Sequence, residues 1–223
     1  MSTVWKNIKI KSSEGRFYES SKTEVEGWTS VETKEHGTRW HRIFSNLKGK
    51  LSKIELDEEG QFGDRLKVYV ETDTDEVSVL EINLFNTNKS INDYVRSLCQ
   101  RLGNINIGDT IDIFLNTKYK NNRGYLNKFM VVKVDDNILE KALNKEDVPR
   151  WLEKQDPIKK DKKIWDRTDE TAFFYNLLKS WIGGNTKAYS SDENNSTTVI
   201  TGQGEVTAAS TVETTIDDDD LPF

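Results

Sequence analysis

The sequence contains few of the residues that disulfide frameworks and metal sites require. Among 223 residues there are one cysteine and two histidines. The single cysteine, Cys99, excludes an internal disulfide framework and favours a reducing, cytoplasmic compartment. With so few cysteine and histidine ligands, a zinc site of the usual kind is nearly excluded. We therefore expect neither a metal nor any other cofactor.

Long apolar runs are missing as well. The chain has no stretch of about 18 apolar residues, so the sequence predicts no membrane-spanning helix and no membrane partner. Residues 1–11 alternate polar and apolar and lack the apolar centre of a signal peptide. Hydrophobic residues make up 35% of the chain and charged residues 31%, which supports a compact core only if part of the chain lies outside it.

The net charge of −6 is unevenly distributed. Residues 183–223 contain eight acids and one base, Lys187, and therefore carry −7, which leaves +1 on the rest of the chain. This asymmetry is typical of an acidic tail on a body with local basic patches. Residues 183–216 are rich in Ser, Thr, Asn and Gly. Because so few large apolar side chains cannot offset the entropy of ordering, we expect a disordered linker there.

Five stretches alternate apolar and polar residues with a period of two, at about residues 38–56, 66–70, 79–85, 111–116 and 126–134. This alternation predicts strands with one side on a core. Between the third and fourth stretches the period changes to that of an amphipathic helix, with Ser90 as its N-cap and Gly103 just past its end. The apolar side of this helix comprises Ile91, Tyr94, Val95, Leu98, Cys99 and Leu102.

This order predicts a mainly β fold, namely a five-stranded OB-fold barrel with one helix between strands 3 and 4. Gly49 in the long first strand fits the bend that such a strand needs to serve both halves of a barrel. The alternative is another small α+β domain with the same order of elements. OB-folds bind oligonucleotides, so the fold itself favours nucleic-acid binding.

The region after the predicted barrel reads as short helices. Asp147 is a candidate N-cap with Pro149 just inside a helix start. A stronger helix is predicted over residues 168–182, closed by Gly183 and Gly184, with an apolar stripe that packs on the barrel or contacts a subunit or partner. The predicted organisation is thus residues 1–136 as the OB domain with an N-terminal extension, 137–182 as a helical extension, 183–216 as a linker and 217–223 as an acidic tip.

Aromatic and basic side chains alternate on one predicted face of the first two strands and recur in the loop between strands 4 and 5. Flat rings stack with any base, and cations follow the phosphates, so this mixture is typical of sequence-independent binding to single strands. The alternative is a solvated sheet face with scattered aromatics. The candidate DNA-binding residues are Arg39, Trp40, Arg42, Phe44, Lys48, Lys50, Lys53, Arg65, Lys67, Tyr69, Lys118, Tyr119, Lys120, Arg123, Tyr125 and Phe129.

The chain ends in four aspartates followed by Leu-Pro-Phe. In these seven residues, and in the low-complexity linker before them, it resembles the bacterial and phage single-stranded DNA-binding protein family. The resemblance implies protection of single-stranded DNA in replication, recombination and repair, recruitment of replication and recombination proteins through the tip, and a location in the bacterial cytoplasm. Residues 1–37 and 137–182 depart from the short bacterial pattern, which leaves the oligomeric state open.

The tip also has a physical rationale of its own. Phe223 offers both a ring and the terminal carboxylate, which a pocket with a basic rim can capture together. Pro222 limits the loss of backbone freedom on docking, and the aspartates steer the tip to basic surfaces. A merely solubilising tail is the alternative. The candidate partner-binding residues are Asp217, Asp218, Asp219, Asp220, Leu221, Pro222 and Phe223.

Two other functions remain as alternatives. Asp64, Glu71 and Glu81 are candidate metal-binding carboxylates of a nuclease, but no catalytic motif accompanies them, so we expect no enzyme. An OB-fold accessory protein, a loader or mediator of replication or recombination, would share the tip and bind DNA weakly.

Overall fold

The computed structural model describes residues 4–34, 37–58, 63–72, 76–116, 128–156 and 163–189. Within them the chain is mainly β, as the sequence predicts. The strands are β1 (Val4–Lys11), β2 (Arg16–Ser21), β3 (Thr29–Thr33), β4 (Gly37–Phe44), β5 (Asn46–Asp57), β6 (Arg65–Glu71), β7 (Glu76–Asn83), β8 (Thr110–Asn116), β9 (Phe129–Val134), β10 (Asn137–Ile138), β11 (Leu152–Gln155) and β12 (Lys163–Asp166). The helices are α1 (Asp93–Cys99) and α2 (Thr168–Tyr189).

Strands β1 to β10 form one large open sheet in the order β10-β9-β8-β5-β6-β7-β1-β2-β4-β3. Neighbouring strands are antiparallel except β1 and β7, which are parallel. The five predicted strands correspond to β5 through β9, with the second half of the first stretch forming β5. The N-terminal extension adds β1, β2 and β3, and β1 supplies Ile8 to the same core as the later strands. Strands β11 and β12 form a separate hairpin.

Helix α1 covers the core side of the sheet near β9. All six apolar positions of the predicted stripe are buried, with at most 2% of each side chain exposed. The helix begins later than predicted, because Asn92 rather than Ser90 is the N-cap and its side chain accepts the Tyr94 N–H at 2.9 Å. Ser90 is buried and donates instead to Asn88 Oδ1 at 2.7 Å. Gly103 lies inside a short 3-10 turn, Leu102–Asn104, that follows the helix.

The predicted first strand is divided at Ser45, which belongs to neither β4 nor β5. Strand β4 pairs with β2 and β3, whereas β5 pairs with β6 and β8. Phe44 packs on the buried ring of Phe17, with centroids 5.8 Å apart, and Leu47 is buried too. Phe44 and Leu47 thus both face the core, although residues three apart in an uninterrupted strand face opposite sides. The predicted alternation from Trp40 to Lys50 on one face is therefore wrong, because Ser45 interrupts it.

A second irregularity lies within β5. The register shifts between Leu51 and Lys53, as in a β-bulge, and this shift lets both Leu51 and Ile54 face the core. Gly49 lies at the predicted bend. A Cβ at Gly49 would overlap the Glu71 carbonyl oxygen and come within 2.8 Å of Val70 Cγ1, so the close approach of β6 requires glycine here.

The region predicted as short helices contains a hairpin instead. Residues 152–155 and 163–166 pair as β11 and β12. Asp147 does not cap a following helix. It ends a 3-10 turn, Lys145–Asp147, and its carboxylate accepts the Asn144 N–H at 3.1 Å. The sequence predicts that Asp147 begins a helix, whereas in the structure it ends a 3-10 turn. Pro149 does not decide between the two, because proline is compatible with extended backbone as well as with a helix start.

Helix α2 begins at Thr168 as predicted but continues through Gly183 and Gly184 to Tyr189. The predicted end at residue 182 is wrong, because two glycines cost a helix about 1 kcal/mol each without breaking it. Phe174 and Leu178 are fully buried in the core of the sheet, and Phe173, Leu177, Trp181 and Ile182 pack against the same core. The apolar stripe therefore packs within the chain.

A buried carboxylate connects the two helices. Glu170 is 3% exposed. It accepts from Arg167 Nε at 2.8 Å and from Arg96 of α1 at 3.4 Å. Asp93 completes the network as a partner of both arginines. This pairing satisfies a buried charge that would otherwise be costly, and it fixes the start of α2 on α1.

Candidate nucleic-acid interface

The side of the sheet away from the core carries most of the described candidate residues. We define the outer face as the outward side chains of β1, β5, β6, β7, β8 and β9. Their alternation with fully buried neighbours such as Val70 and Met130 fixes their direction. The candidates that lie on this face are Lys48, Lys50, Lys53, Arg65, Lys67, Tyr69 and Phe129.

A groove of about 680 Å³ lies on this face, between the sheet and the C-terminal part of α2. Its lining includes three of the predicted residues, Lys53, Lys67 and Tyr69. It also includes Trp5 of β1 and Trp181 of α2, which are not among the residues predicted from the sequence to bind DNA. Trp5 is 60% exposed, an unusual position for a large apolar ring. The groove thus combines three aromatic rings with two lysines.

Tyr69 occupies the centre of this arrangement. Its hydroxyl donates to Glu55 Oε2 at 2.9 Å, and the Lys53 ammonium lies 5.5 Å from its ring centroid. Burial, followed by the hydrogen bond to Glu55, raises the pKa of Tyr69 to about 12. The phenol therefore stays protonated to a higher pH than that of an ordinary tyrosine.

Most cations of the outer face already have carboxylate partners. Lys53 pairs with Glu55 at 2.8 Å, Lys67 with Asp57 at 2.8 Å, Arg65 with Glu81 at 2.7 Å and Lys48 with Asp136 at 3.1 Å. The hydrogen bond that Lys67 donates to Asp57 raises the pKa of Lys67, and the one that Glu55 accepts from Lys53 lowers the pKa of Glu55. Exposed pairs contribute only about 0–1 kcal/mol, so a phosphate can replace the carboxylate at Lys48 or Lys53, whose side chains are about half exposed.

The outer face extends from the groove toward β8 and β9. Lys48 and Lys50 lie opposite Asp112 and Thr110 in register. Lys50 has no carboxylate partner within the described residues, so its charge is available to an anion. Lys133 places its ammonium 5.3 Å from the Phe114 centroid. Phe129 lies on the same face of β9 as Lys133. Phe114 and Lys133 were missed as candidates, although the alternation of β8 and β9 already places them with the polar side of these strands.

Four predicted residues do not belong to this surface. Arg39, Trp40, Arg42 and Phe44 lie on β4, which β6, β7, β1 and β2 separate from β5 in the sheet. Phe44 faces the core, and Arg42 points to the same side, with its guanidinium 5.7 Å from the Phe44 centroid and paired with Glu19 at 2.8 Å. The expected continuous face of Trp40 with Lys48 and Lys50 is therefore absent from the described structure.

The remaining candidates fall outside the described residues. They are Lys118, Tyr119, Lys120, Arg123 and Tyr125 of the loop before β9, and the tip at residues 217–223. The same holds for residues 190–216 of the predicted linker.

The carboxylates considered for a nuclease do not gather into a metal site. Glu81 is the ion partner of Arg65. In the ranges that the structure describes, no group of three or more His, Cys, Asp or Glu side chains is placed to hold a metal ion. Cys99 is buried in the core, and burial raises the pKa of its thiol to about 12, so it is not an activated nucleophile.

The chain matches no family model, no curated protein and no solved structure. Neither α1 nor the described part of α2 is long and apolar enough to cross a membrane, and no other described helix is.

Proposed function

We propose that this protein binds single-stranded DNA on its outer face without sequence preference. The observation that carries the proposal is the groove, in which Trp5, Tyr69 and Trp181 lie beside Lys53 and Lys67. Rings of this kind stack on bases at about 1–3 kcal/mol each. The preference for single strands follows because a ring reaches the flat side of a base only when that base has left the duplex stack.

The lysines supply the second half of the interaction. In the bound state phosphates replace the carboxylate partners of Lys48 and Lys53, while Lys50 offers its charge directly. These interactions release counterions from the strand and make the affinity fall as salt rises. Sequence plays no part in either interaction, since every base has a flat face and every nucleotide a phosphate. The protein protects single-stranded DNA during replication, recombination and repair.

We further propose that the fold is of the OB type. The pairing of β5 with β6 and β8, of β6 with β7 and of β8 with β9, together with α1 between β7 and β8, supports this assignment. Strand β4 leads into β5 after one residue, and β2 approaches both β5 and β8, which supports a curled sheet. The parallel neighbour of β7 is the N-terminal β1 rather than β9, so the N-terminal extension is an integral part of the domain.

The acidic tip recruits replication and recombination proteins in this proposal. Its four aspartates and Phe223 follow a segment of low complexity. The tip also competes with DNA for the basic outer face, since tethered acids act at roughly millimolar effective concentration. DNA binding then frees the tip for a partner.

One observation favours the alternative function of a loader or mediator that binds DNA weakly. Four of the outer-face cations already have carboxylate partners, which reduces the positive potential that attracts a strand. In this alternative the tip carries the main function and the outer face contributes only a transient contact.

A binding measurement on the full chain separates the two. Equilibrium affinity for a labelled single-stranded oligonucleotide and for the matching duplex is measured over a range of salt concentrations. The proposed function predicts a preference for the single strand and a linear fall of log K with log salt. Weak binding with no preference for single strands would favour the accessory role.

A further inference from the structure

The hairpin of β11 and β12 exposes apolar side chains on both of its faces. The described residues include six exposed large hydrophobic side chains, and three of them, Leu152, Ile164 and Trp165, belong to this hairpin. Trp165 is 50% exposed. Apolar side chains that stay exposed to solvent contribute little to the stability of an isolated hairpin. The stability of the hairpin therefore does not explain why these exposed positions are apolar.

The two faces of the hairpin differ in chemistry. Trp165 lies opposite Glu153, on the face that also carries Lys163 and Trp151. The Trp151 and Trp165 centroids are 6.5 Å apart. Lys163 is 77% exposed, and Glu153 is its ion partner at 2.5 Å. We call this side the tryptophan face. Leu152 and Ile164 lie on the opposite side.

An arginine anchors the hairpin to the body of the protein. Arg167 follows β12, and its guanidinium lies 4.5 Å from the Trp151 centroid. Its Nε donates to the buried Glu170 at 2.8 Å. Trp151 is thereby held in place, whereas Trp165 is left to solvent. Trp165 takes no part in packing the core and keeps half of its surface exposed.

The net charge of the segment that contains the hairpin, residues 150–167, is opposite in sign to that of the whole chain. Residues 150–167 contain seven bases and four acids, a net charge of +3, although the chain as a whole carries −6. Three of the bases, Lys159, Lys160 and Lys162, belong to the connection between the two strands, which lies outside the described residues. The described residues of this segment contain four bases and three acids and therefore carry +1, and the sequence of the connection adds +2. A segment with a net positive charge and an exposed ring complements a polyanion that has flat apolar faces.

We infer that the hairpin is a second contact for single-stranded DNA, separate from the groove. Trp165 stacks on a base, and Lys163 binds an adjacent phosphate in place of Glu153. Trp151 and Arg167 hold the hairpin in position for this contact. The inference rests on the proposed function, because it requires that the protein bind single strands at all.

The test compares two variants of the full chain on the two faces of the hairpin. Trp165→Ala removes the proposed stacking ring, and Leu152→Ala removes a similarly exposed side chain from the opposite face. Affinity is measured for a poly-deoxythymidine strand of about 40 nucleotides, longer than the roughly 4–16 nucleotides that one OB domain covers. We expect Trp165→Ala to weaken binding about 5- to 150-fold, Trp165→Phe to restore most of it, and Leu152→Ala to leave it unchanged.

The wild-type arm separates failure of the function from failure of the inference. If the wild type does not bind the strand, the proposed function and the inference both fall. If the wild type binds and Trp165→Ala binds equally well, the inference alone is overturned. Equal losses in Trp165→Ala and Leu152→Ala would also overturn it, because the effect would then come from the hairpin fold. Sedimentation of both variants tests whether the hairpin is a contact between copies of the chain. An altered oligomeric state with unchanged DNA affinity would show such a contact and overturn the inference.

Discussion

The rings of Trp5 and Tyr69 stand almost perpendicular, at 88°, with centroids 5.9 Å apart. The two residues belong to β1 and β6, which are both neighbours of β7 in the sheet. Edge-to-face contact of this kind holds both rings in defined orientations. Because Trp5 remains 60% exposed, the pair presents an ordered aromatic surface to solvent at the rim of the groove.

This pair leads to a prediction about Trp5. The variant Trp5→Ala should weaken single-strand affinity by about 1–3 kcal/mol, the usual contribution of one stacking ring. Trp40→Ala is the matched control, because Trp40 lies on β4 and away from the outer face. Thermal melting should show little change for Trp5→Ala, since the ring is mostly exposed. Equal losses of affinity in both variants would indicate that β4 belongs to the interface after all.

The salt dependence of binding tests the lysines of β5. Replacing both Lys48 and Lys50 by alanine should flatten the slope of log K against log salt by about 0.7 for each phosphate that the variant no longer binds. The matched control replaces Lys22 and Lys34, which are exposed in the turns on either side of β3. The control slope should equal that of the wild type. An unchanged slope in the Lys48 and Lys50 variant would show that the strand does not pass over β5.

Alkaline pH should destabilise the protein in part through Tyr69. Its pKa is raised in the folded state from 10.0 to about 12. Between these two values the unfolded chain releases the phenol proton and the folded chain retains it, so the stability contributed by this group is present below pH 10 and disappears as pH rises toward 12. Denaturant unfolding of the wild type and of Tyr69→Phe at several pH values checks this. The phenylalanine variant should lose less stability over that range.

The acidic tip should act on both partners and DNA. Deleting residues 217–223 should abolish capture of replication partners and strengthen single-strand binding, most visibly at low salt, where charge interactions count most. Phe223→Ala should lose the partners while DNA affinity stays the same, because the aspartates remain. Pull-down and DNA titration on the same preparations give both readings. Weaker DNA binding after truncation would contradict the competition.

The local elements of the fold could be predicted from the sequence because they depend on short-range periodicity. The helical stripe from Ile91 to Leu102 is buried as predicted, and α2 begins at Thr168 as predicted. The division at Ser45 could not be predicted in this way. Because Ser45 lies outside the strand pairing, the residues that face the core change parity between β4 and β5. The strands with which β4 and β5 pair are set by residues far away in the sequence.

The candidate site was predicted in part for the same reason. Lys53, Lys67 and Tyr69 were found because they alternate with core residues on β5 and β6. Trp5 was missed because its strand pairs in parallel with β7, about seventy residues further along the chain. Trp181 was assigned only to the apolar stripe of α2, although it also lines the groove. Nothing in a local pattern shows that a helix will cover part of a sheet face.

Ultraviolet cross-linking of the full chain to a labelled single strand identifies the side chains that touch the bases. Excited bases form bonds with aromatic side chains that they touch, and mass spectrometry of the digested complex identifies those residues. If the strand binds in the groove, cross-links form at Trp5 and Tyr69. Cross-links confined to Trp40 of β4, with none on the outer face, would contradict this proposal.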